Sequence, residues 1–332
     1  MSWKVLITAR VFKIVGQPAL ELLRQSGCEV ILTEQFGPHK MPELLPRLPG
    51  VDAALCSPDA YTAQVLETPE AAQLKIISRW GVGYDSIDIA AATRLGIPVA
   101  YTPGMLNEAV ADWTWALLLA VARRVPQCHV SISKGEWATQ WGYDVHGKTL
   151  GLIGCGRIGQ AVAKRAAGFD MRVIGYDIAP PKDASNIEFV SLDELLSRSD
   201  FISLHAALTP ENRGLIGEAQ LRKMKPTACI INTARGPMID EAALARALHE
   251  GRIAGAALDV FSVEPMTADN PLRNAPNTVL APHNAPCARE TAERVSLAAA
   301  QAIVDLMQGR KPRWVVDPKV FDSPNLRVKL HN

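Results

Sequence analysis

Short apolar runs alternate with longer amphipathic stretches along almost the whole chain. Residues 5–7, 53–55, 76–78, 99–101, 149–153, 172–176, 201–204, 229–232, 256–258 and 278–280 read as strands. Helical patterns lie between most of them, for example over 18–25 and 241–249. This rhythm predicts parallel sheets with helices on both faces. Strands in such sheets are buried on both sides, which explains apolar runs without polar alternation. A long helical pattern over 107–124 separates a first series of strands, ending near residue 101, from a second over 150–282. A last helical pattern over 288–308 leads into a tail rich in Pro and charge. The tail is too short for a domain of its own, so it is expected to return to the first series. The expected organisation is a discontinuous outer domain, residues 1–104 and 286–332, with residues 105–285 inserted into it.

The 332 residues carry 35 Lys+Arg and 34 Asp+Glu, a formal charge of +1. That balance gives no electrostatic case for nucleic acid or an anionic membrane surface. With 48% apolar and 21% charged residues the chain is globular, and its length suits two domains. No apolar run approaches the roughly 20 residues of a membrane span. The amino end opens directly into a short strand, without the apolar region and cleavage site of a secretory signal. Six cysteines stand singly, at 28, 56, 128, 155, 229 and 287, none in C-x-x-C spacing. They are expected to be buried thiols in a reducing cytoplasm, and no metal site is expected.

The run 150–153 ends in Gly154-Cys155-Gly156-Arg157-Ile158-Gly159, and a helical pattern over 160–167 follows. Strand 172–176 then ends in Asp177, near the spacing expected for a dinucleotide fingerprint. Each residue type has a reason. Gly154 permits the tight turn, Gly156 lets backbone approach a pyrophosphate, and Gly159 lets the helix pack closely. The helix amino end offers N–H groups and a positive dipole end to phosphates. Asp177 can accept hydrogen bonds from the adenosine ribose hydroxyls and would repel a 2′-phosphate, so NAD is expected rather than NADP.

Three polar residues follow three later strands: Arg235, Glu264 and His283. The carboxyl end of a parallel strand is where such sheets place ligands. A His exchanges protons with an alcohol oxygen near neutral pH. A Glu on its other ring nitrogen fixes the tautomer and favours imidazolium. An Arg can hold an α-keto carboxylate by paired hydrogen bonds.

With these blocks the chain resembles the D-isomer-specific 2-hydroxyacid dehydrogenases, the family of phosphoglycerate dehydrogenase and glyoxylate/hydroxypyruvate reductase. Arg79-Trp80-Gly81-Val82-Gly83-Tyr84-Asp85 is similar to the family's substrate loop, and Thr233-Ala234-Arg235-Gly236, residues 259–265 and Pro282-His283 to its catalytic blocks. The resemblance implies an NAD-binding Rossmann domain inserted into a flavodoxin-like substrate domain, both doubly wound α/β. It implies that Arg235 binds and polarises the substrate, and that His283 is the general acid/base with Glu264 as its partner. It implies a carboxylate nest of the Val82 and Gly83 amides, with Ser57 nearby. Arg157 and Ile158 would contact the pyrophosphate, Asp177 the ribose, and His205 and Thr209 the adenine side. Thr233, Ala234 and Asp259 would line the nicotinamide half. The implied partner is a second copy of the chain, in a homodimer joined through the cofactor domain.

Departures bear on the substrate. Cys56 stands before Ser57, where phosphoglycerate dehydrogenases carry an Arg for the phosphate. Residues 103–106 end in Leu106, as in some glyoxylate/hydroxypyruvate reductases. The block from His205 to Pro210 lacks a Pro common before the Leu. Reversible reduction of a small 2-oxo acid by NADH is therefore expected, glyoxylate or hydroxypyruvate being favoured. The alternatives are 3-phosphoglycerate or phosphite oxidation, or a non-enzymatic NAD-sensing corepressor. Arg10, after the first strand, is either a partner for a second anionic group or a solvated side chain. Trp137 and Trp141 are expected to pack at an interface.

Overall fold

The computed structural model describes residues 2–184 and 186–331. Contacts divide the chain into two compact units: unit 1 is Met1–Leu106 with Pro286–Asn332, and unit 2 is Asn107–Ala285.

Unit 1 holds a five-stranded sheet of β1 (Lys4–Ile7), β2 (Glu29–Leu32), β3 (Ala53–Cys56), β4 (Ile76–Arg79) and β5 (Val99–Ala100). The order is β2-β1-β3-β4-β5, and each neighbouring pair is parallel. All four residues of β3 and of β4 are buried. The helix Arg289–Met307 packs on β4 and on the helix Gln17–Gln25. Two polar bonds from the β4 end fix its seat: Ser78 Oγ donates to the Ala299 carbonyl at 2.8 Å, and Trp80 Nε1 to Ser296 Oγ at 3.0 Å. The tail then runs back along the unit. There Arg327 donates to the carbonyls of Ala71, Ala72, Leu74 and Leu95, at the ends of two short helical segments.

Unit 2 holds seven strands: β6 (Thr149–Ile153), β7 (Arg172–Tyr176), β8 (Glu188–Phe189), β9 (Phe201–Leu204), β10 (Cys229–Asn232), β11 (Gly255–Leu258) and β12 (Thr278–Leu280). The order is β12-β11-β10-β9-β6-β7-β8, again parallel throughout. The order reverses between β6 and β9, which is where a doubly wound sheet opens a ligand crevice. Both faces are covered. Ile230, Ala256 and Ile202 belong to one apolar cluster, and Ile231, Ala257 and Phe201 to the other. Each such side chain contributes roughly 1.5–3 kcal/mol if large and fully buried. The helix Asn107–Ala122 packs on β10, β11 and β12. Its Trp115 stacks on Phe169 at 4.8 Å and donates to the Val162 carbonyl at 3.1 Å.

Two strands escaped the hydrophobic pattern. β2 (Glu29–Leu32) is an edge strand whose residues are all at least partly exposed, and β8 is an edge strand of two residues. Neither needs a continuous apolar run. Among the described residues no helix is long and apolar enough to cross a membrane, and no group of three or more His, Cys, Asp or Glu side chains is placed to hold a metal ion.

Candidate active site

The loops after β6 and β9 meet at the switch point of unit 2. Gly154 has φ +91°, and a Cβ there would lie 2.4 Å from the Ala206 amide nitrogen. Only glycine lets the two loops approach so closely. A Cβ on Gly159 would lie 2.3 Å from the Gly154 carbonyl oxygen, so this glycine packs the helix against the turn. At Gly156 a Cβ would meet nothing within 4 Å, which leaves that side open for a ligand. The helix Arg157–Ala166 starts within the fingerprint, with Gly156 as its N-cap. The amides of Arg157, Ile158 and Gly159 are therefore its first-turn donors, without intrahelical acceptors.

Asp177 follows β7 beside this turn. Its Oδ2 accepts from the Cys155 amide at 2.7 Å and its Oδ1 from the Ala179 amide at 2.8 Å. The Cys155 thiol, pushed up to about 12 by burial and by the Asp177 charge, is no nucleophile. Across the switch point, His205 shares a hydrogen bond of 2.9 Å with Ser203 through Nε2. Its Nδ1 is buried without a partner, and burial pulls the ring down to about 3, so it is neutral. Thr209 lies farther along the same loop, its amide on Asn212 Oδ1. An orphaned ring nitrogen, an open glycine and a helix amino end around one turn fit a dinucleotide.

The catalytic candidates emerge from three adjacent strands of the same sheet. After β10, Asn232 shapes the turn: its Oδ1 accepts from the Ala234 amide at 3.0 Å and its Nδ2 donates to the Arg235 carbonyl at 2.9 Å. Thr233 shares a hydrogen bond of 3.0 Å with Thr114. Arg235 Nη1 donates to the Ala234 carbonyl at 2.7 Å. A Cβ on Gly236 would sit 1.9 Å from the Phe261 carbonyl carbon, so glycine is required where this turn crosses the loop after β11.

That second loop carries Glu264. Its Oε1 accepts from the Phe261 amide at 3.0 Å, and its Oε2 lies 2.8 Å from His283 Nδ1. Burial alone would raise its carboxyl. The His283 hydrogen bond and charge, the Phe261 amide and the Arg235 charge outweigh burial and hold it below the ordinary glutamate value. Glu264 is thus an anion at neutral pH, anchored at one oxygen and aimed at the imidazole with the other.

His283 has φ +52°, and its amide donates to the Asp259 carbonyl at 2.7 Å. The buried Asp259 carboxylate holds the rest of the loop. It accepts from the Asn284 amide at 2.8 Å, the Ala285 amide at 2.8 Å and Trp113 Nε1 at 3.0 Å. These contacts fix the His283 loop to the helix Asn107–Ala122. Sequence reading missed Trp113 and Thr114. They sit in a helix that reads as a connector, and nothing in its pattern sets these two positions apart.

The substrate residues expected in the outer domain lie in unit 1, on the loops after β1, β3 and β4. Arg10 opens a short 3-10 turn after β1. Ser57 is buried just after β3. Val82 and Gly83 are half-exposed in the loop after β4, and their amides have no intramolecular acceptor among the described residues. Arg79 was read only as part of the substrate-loop block, and Asp59 and His39 were not singled out by sequence, yet they organise this edge. Asp59 accepts from Thr8 Oγ1 and from the His39 amide at 2.6 Å, and pairs with His39 Nδ1 at 3.0 Å; His39 Nε2 faces the Gln35 carbonyl at 2.9 Å.

A fingerprinted turn at a switch point, with an Arg, a Glu and a His at neighbouring strand ends, defines a nicotinamide-dependent oxidoreductase as the class. Comparison with known proteins gives the family. Residues 115–285 match the family model described as "D-isomer specific 2-hydroxyacid dehydrogenase, NAD binding domain". A glyoxylate reductase of Thermofilum pendens is 44% identical over 96% of this chain and 97% of its own length. A D-3-phosphoglycerate dehydrogenase of Methanocaldococcus jannaschii is 43% identical over 83% of this chain but only 53% of its own length. The crystal structure of the TT0316 protein of Thermus thermophilus superposes with a TM-score of 0.86 at 41% identity, covering 95% of this chain and all of that one. The chain belongs to the D-isomer specific 2-hydroxyacid dehydrogenases, NAD-dependent oxidoreductases acting on CH–OH groups.

Proposed function

We propose that this protein reduces glyoxylate or hydroxypyruvate to the corresponding 2-hydroxy acid at the expense of NADH, with Arg235, Glu264 and His283 as its catalytic residues. The observation that carries the reading is the 2.8 Å pair between Glu264 Oε2 and His283 Nδ1, with the Arg235 charge beside it. When bound, NADH supplies hydride chemistry at the nicotinamide ring. Gly156 would leave room for its pyrophosphate against the amides of Arg157 and Ile158, with Gly154 and Gly159 shaping the turn, and Asp177 would take the adenosine ribose. The carboxylate of Asp177 opposes a 2′-phosphate, which supports NADH over NADPH. His205, Thr209, Thr233, Ala234 and Asp259 would line the rest of the cofactor.

Glu264 is held ionised, so it keeps His283 Nδ1 protonated and the ring oriented. The other ring nitrogen, Nε2, delivers a proton to the substrate's 2-oxo oxygen as the adjacent carbon accepts hydride, giving the hydroxyl. In the oxidative direction the same nitrogen takes that proton back. Arg235 polarises the 2-oxo group and pairs with the carboxylate. The Val82 and Gly83 amides form an anion nest for the carboxylate, with Ser57 and Arg10 as further polar contacts. Several facts support glyoxylate or hydroxypyruvate over 3-phosphoglycerate. The glyoxylate reductase of Thermofilum pendens matches over nearly its full length, and a fully buried Cys56 stands where a phosphate-binding Arg is expected.

The reading includes a homodimer in a reducing cytoplasm. Trp137 is 93% exposed and Trp141 84%, close in the chain to exposed Val130 and Ile132, an apolar surface suited to a second copy. Four of the six cysteines are buried thiols.

The test is a panel of 2-oxo acids, with 3-phosphohydroxypyruvate included, mixed with the protein and NADH and followed at the NADH absorbance band. Glyoxylate or hydroxypyruvate should give the highest kcat/KM. Absence of turnover on every acid overturns the reading.

A further inference from the structure

Arg79 is the last residue of β4, and it is buried. A buried guanidinium is costly unless its donors are satisfied. Arg79 spends two of them by turning back beneath the loop that follows. Its Nε donates to the Gly83 carbonyl at 2.7 Å, and its Nη1 donates to the Trp80 carbonyl. Thr102 holds the residue in between: the Gly81 amide donates to Thr102 Oγ1 at 3.1 Å, and the Gly81 carbonyl accepts from the Thr102 amide at 3.0 Å. Gly81 itself has φ +123°, and a Cβ there would lie 3.2 Å from Arg79 Nη1.

The planarity of the peptide bond turns these contacts into a statement about amides. In a trans peptide the C=O of one residue and the N–H of the next point in opposite directions. The Gly81 carbonyl is taken by Thr102, so the Val82 N–H faces away from Thr102. The Gly83 carbonyl is taken by Arg79, so the following peptide is fixed too. The Gly83 N–H lies between these two anchored peptides. Three of the four carbonyls from Trp80 to Gly83 are thus consumed within the unit, while the Val82 and Gly83 amides have no intramolecular acceptor among the described residues.

We infer that Arg79 is a positioning residue for carboxylate recognition: by holding the Trp80–Gly81 and Gly83–Tyr84 peptides it clamps both ends of the two-peptide segment whose Val82 and Gly83 N–H groups are presented to an anion. Its fixed positive charge stands on the carbonyl side of the loop and adds to the field the amides offer. The inference rests on the reading of these two amides as the carboxylate nest. It separates two jobs: Arg235 acts on the substrate with its own guanidinium, whereas Arg79 acts through the backbone it holds.

The test uses oxalate, an unreactive dicarboxylate, titrated calorimetrically into the full chain with NADH present. Arg79→Lys keeps the charge but cannot donate in two directions from a planar fork. Losing a charge-assisted bond on each of two carbonyls should weaken oxalate binding by about tenfold or more. The KM for 2-oxo acids should rise in parallel, with kcat and the NADH dissociation constant within about twofold of wild type. Thr102→Val, which removes only the hydroxyl anchor of Gly81, should weaken oxalate by a smaller factor in the same direction.

A folded Arg79→Lys protein that binds oxalate as wild type does overturns the inference, and so does a wild type that does not bind oxalate. Should Arg79→Lys fail to fold, unchanged oxalate affinity in Thr102→Val overturns it instead. The two readings fail separately. A wild type that reduces no 2-oxo acid but binds oxalate in an Arg79-dependent way sinks the reductase assignment alone. Wild-type KM in an active Arg79→Lys enzyme sinks the inference alone.

Discussion

The two sheets are built alike, parallel and covered on both faces, yet their carboxyl edges spend polar side chains in opposite ways. In unit 2 the side chains point chemistry outward: Glu264 is kept anionic and aimed at His283, and Asp259 clamps the loop that carries the imidazole. In unit 1 several charged and polar side chains turn inward. Asp59, His39 and Thr8 bind one another, and Arg79 binds loop carbonyls. The unit 2 edge carries its titratable pair on side chains, whereas at the unit 1 edge these side chains brace a loop whose Val82 and Gly83 amides have no intramolecular acceptor among the described residues. A proton carrier must be a titratable side chain, whereas an anion can be held by amides whose geometry is fixed from behind. A buried ionic residue near a site is therefore no evidence of catalysis until its partners are counted.

The contrast can be broken by substitution. The largest effect should come from His283→Ala, which should lower kcat by about 10²–10⁴-fold while NADH affinity by fluorescence titration stays near wild type. An active His283→Ala enzyme would erase the chemical distinction between the edges. Glu264→Gln should follow, with kcat down by about 10–100-fold because the ring loses its fixed tautomer and charge partner. It also carries a pH signature. Glu264 is held below the ordinary value of 4.5 in the folded protein, so its ionised form stabilises the fold fully above that value. The contribution is lost as pH falls through the depressed folded value. The difference in Tm between wild type and Glu264→Gln should therefore be full at pH 6–7 and shrink in strong acid.

Asp59→Ala should do the reverse of His283→Ala. Leaving the Thr8 hydroxyl, the His39 amide and the His39 ring unpaired should cost about 2–4 kcal/mol in denaturant unfolding. The kcat of the remaining folded enzyme should stay within about threefold of wild type, with any loss in KM. A large fall in kcat would show that the unit 1 edge takes part in the chemistry itself. The smallest effect concerns thiols. Cys155 and Cys229, both pushed up to about 12 chiefly by burial, should resist alkylation of the native protein at pH 8 and react after unfolding, as read by mass spectrometry.

Much of unit 2 is legible from the chain because its signals are local. The fingerprint fits in six residues, and each member of the catalytic trio stands a few residues beyond an apolar run. The edge strands β2 and β8 were not legible, since an edge needs no continuous apolar run. The helix over Arg157–Ala166 begins earlier than its apolar pattern, because its first turn is shaped by glycine caps. Unit 1 hides its organisation for a different reason. Thr8, His39 and Asp59 come together only because the strand order places β1 beside β3. Arg79 stands in a legible loop block, but nothing in that block tells that its side chain folds under its own loop.

The division of the chain also sets an order of assembly during synthesis. Residues 107–285 form unit 2 as one uninterrupted stretch, whereas β4 of unit 1 finds its covering helix only at Arg289–Met307. On the ribosome the amino-terminal third must wait, with Ser78 and Trp80 lacking Ala299 and Ser296, until the carboxyl-terminal segment emerges. Unit 1 therefore cannot be completed in the usual vectorial order, amino-terminal domain first. The nascent chain completes its middle before its beginning.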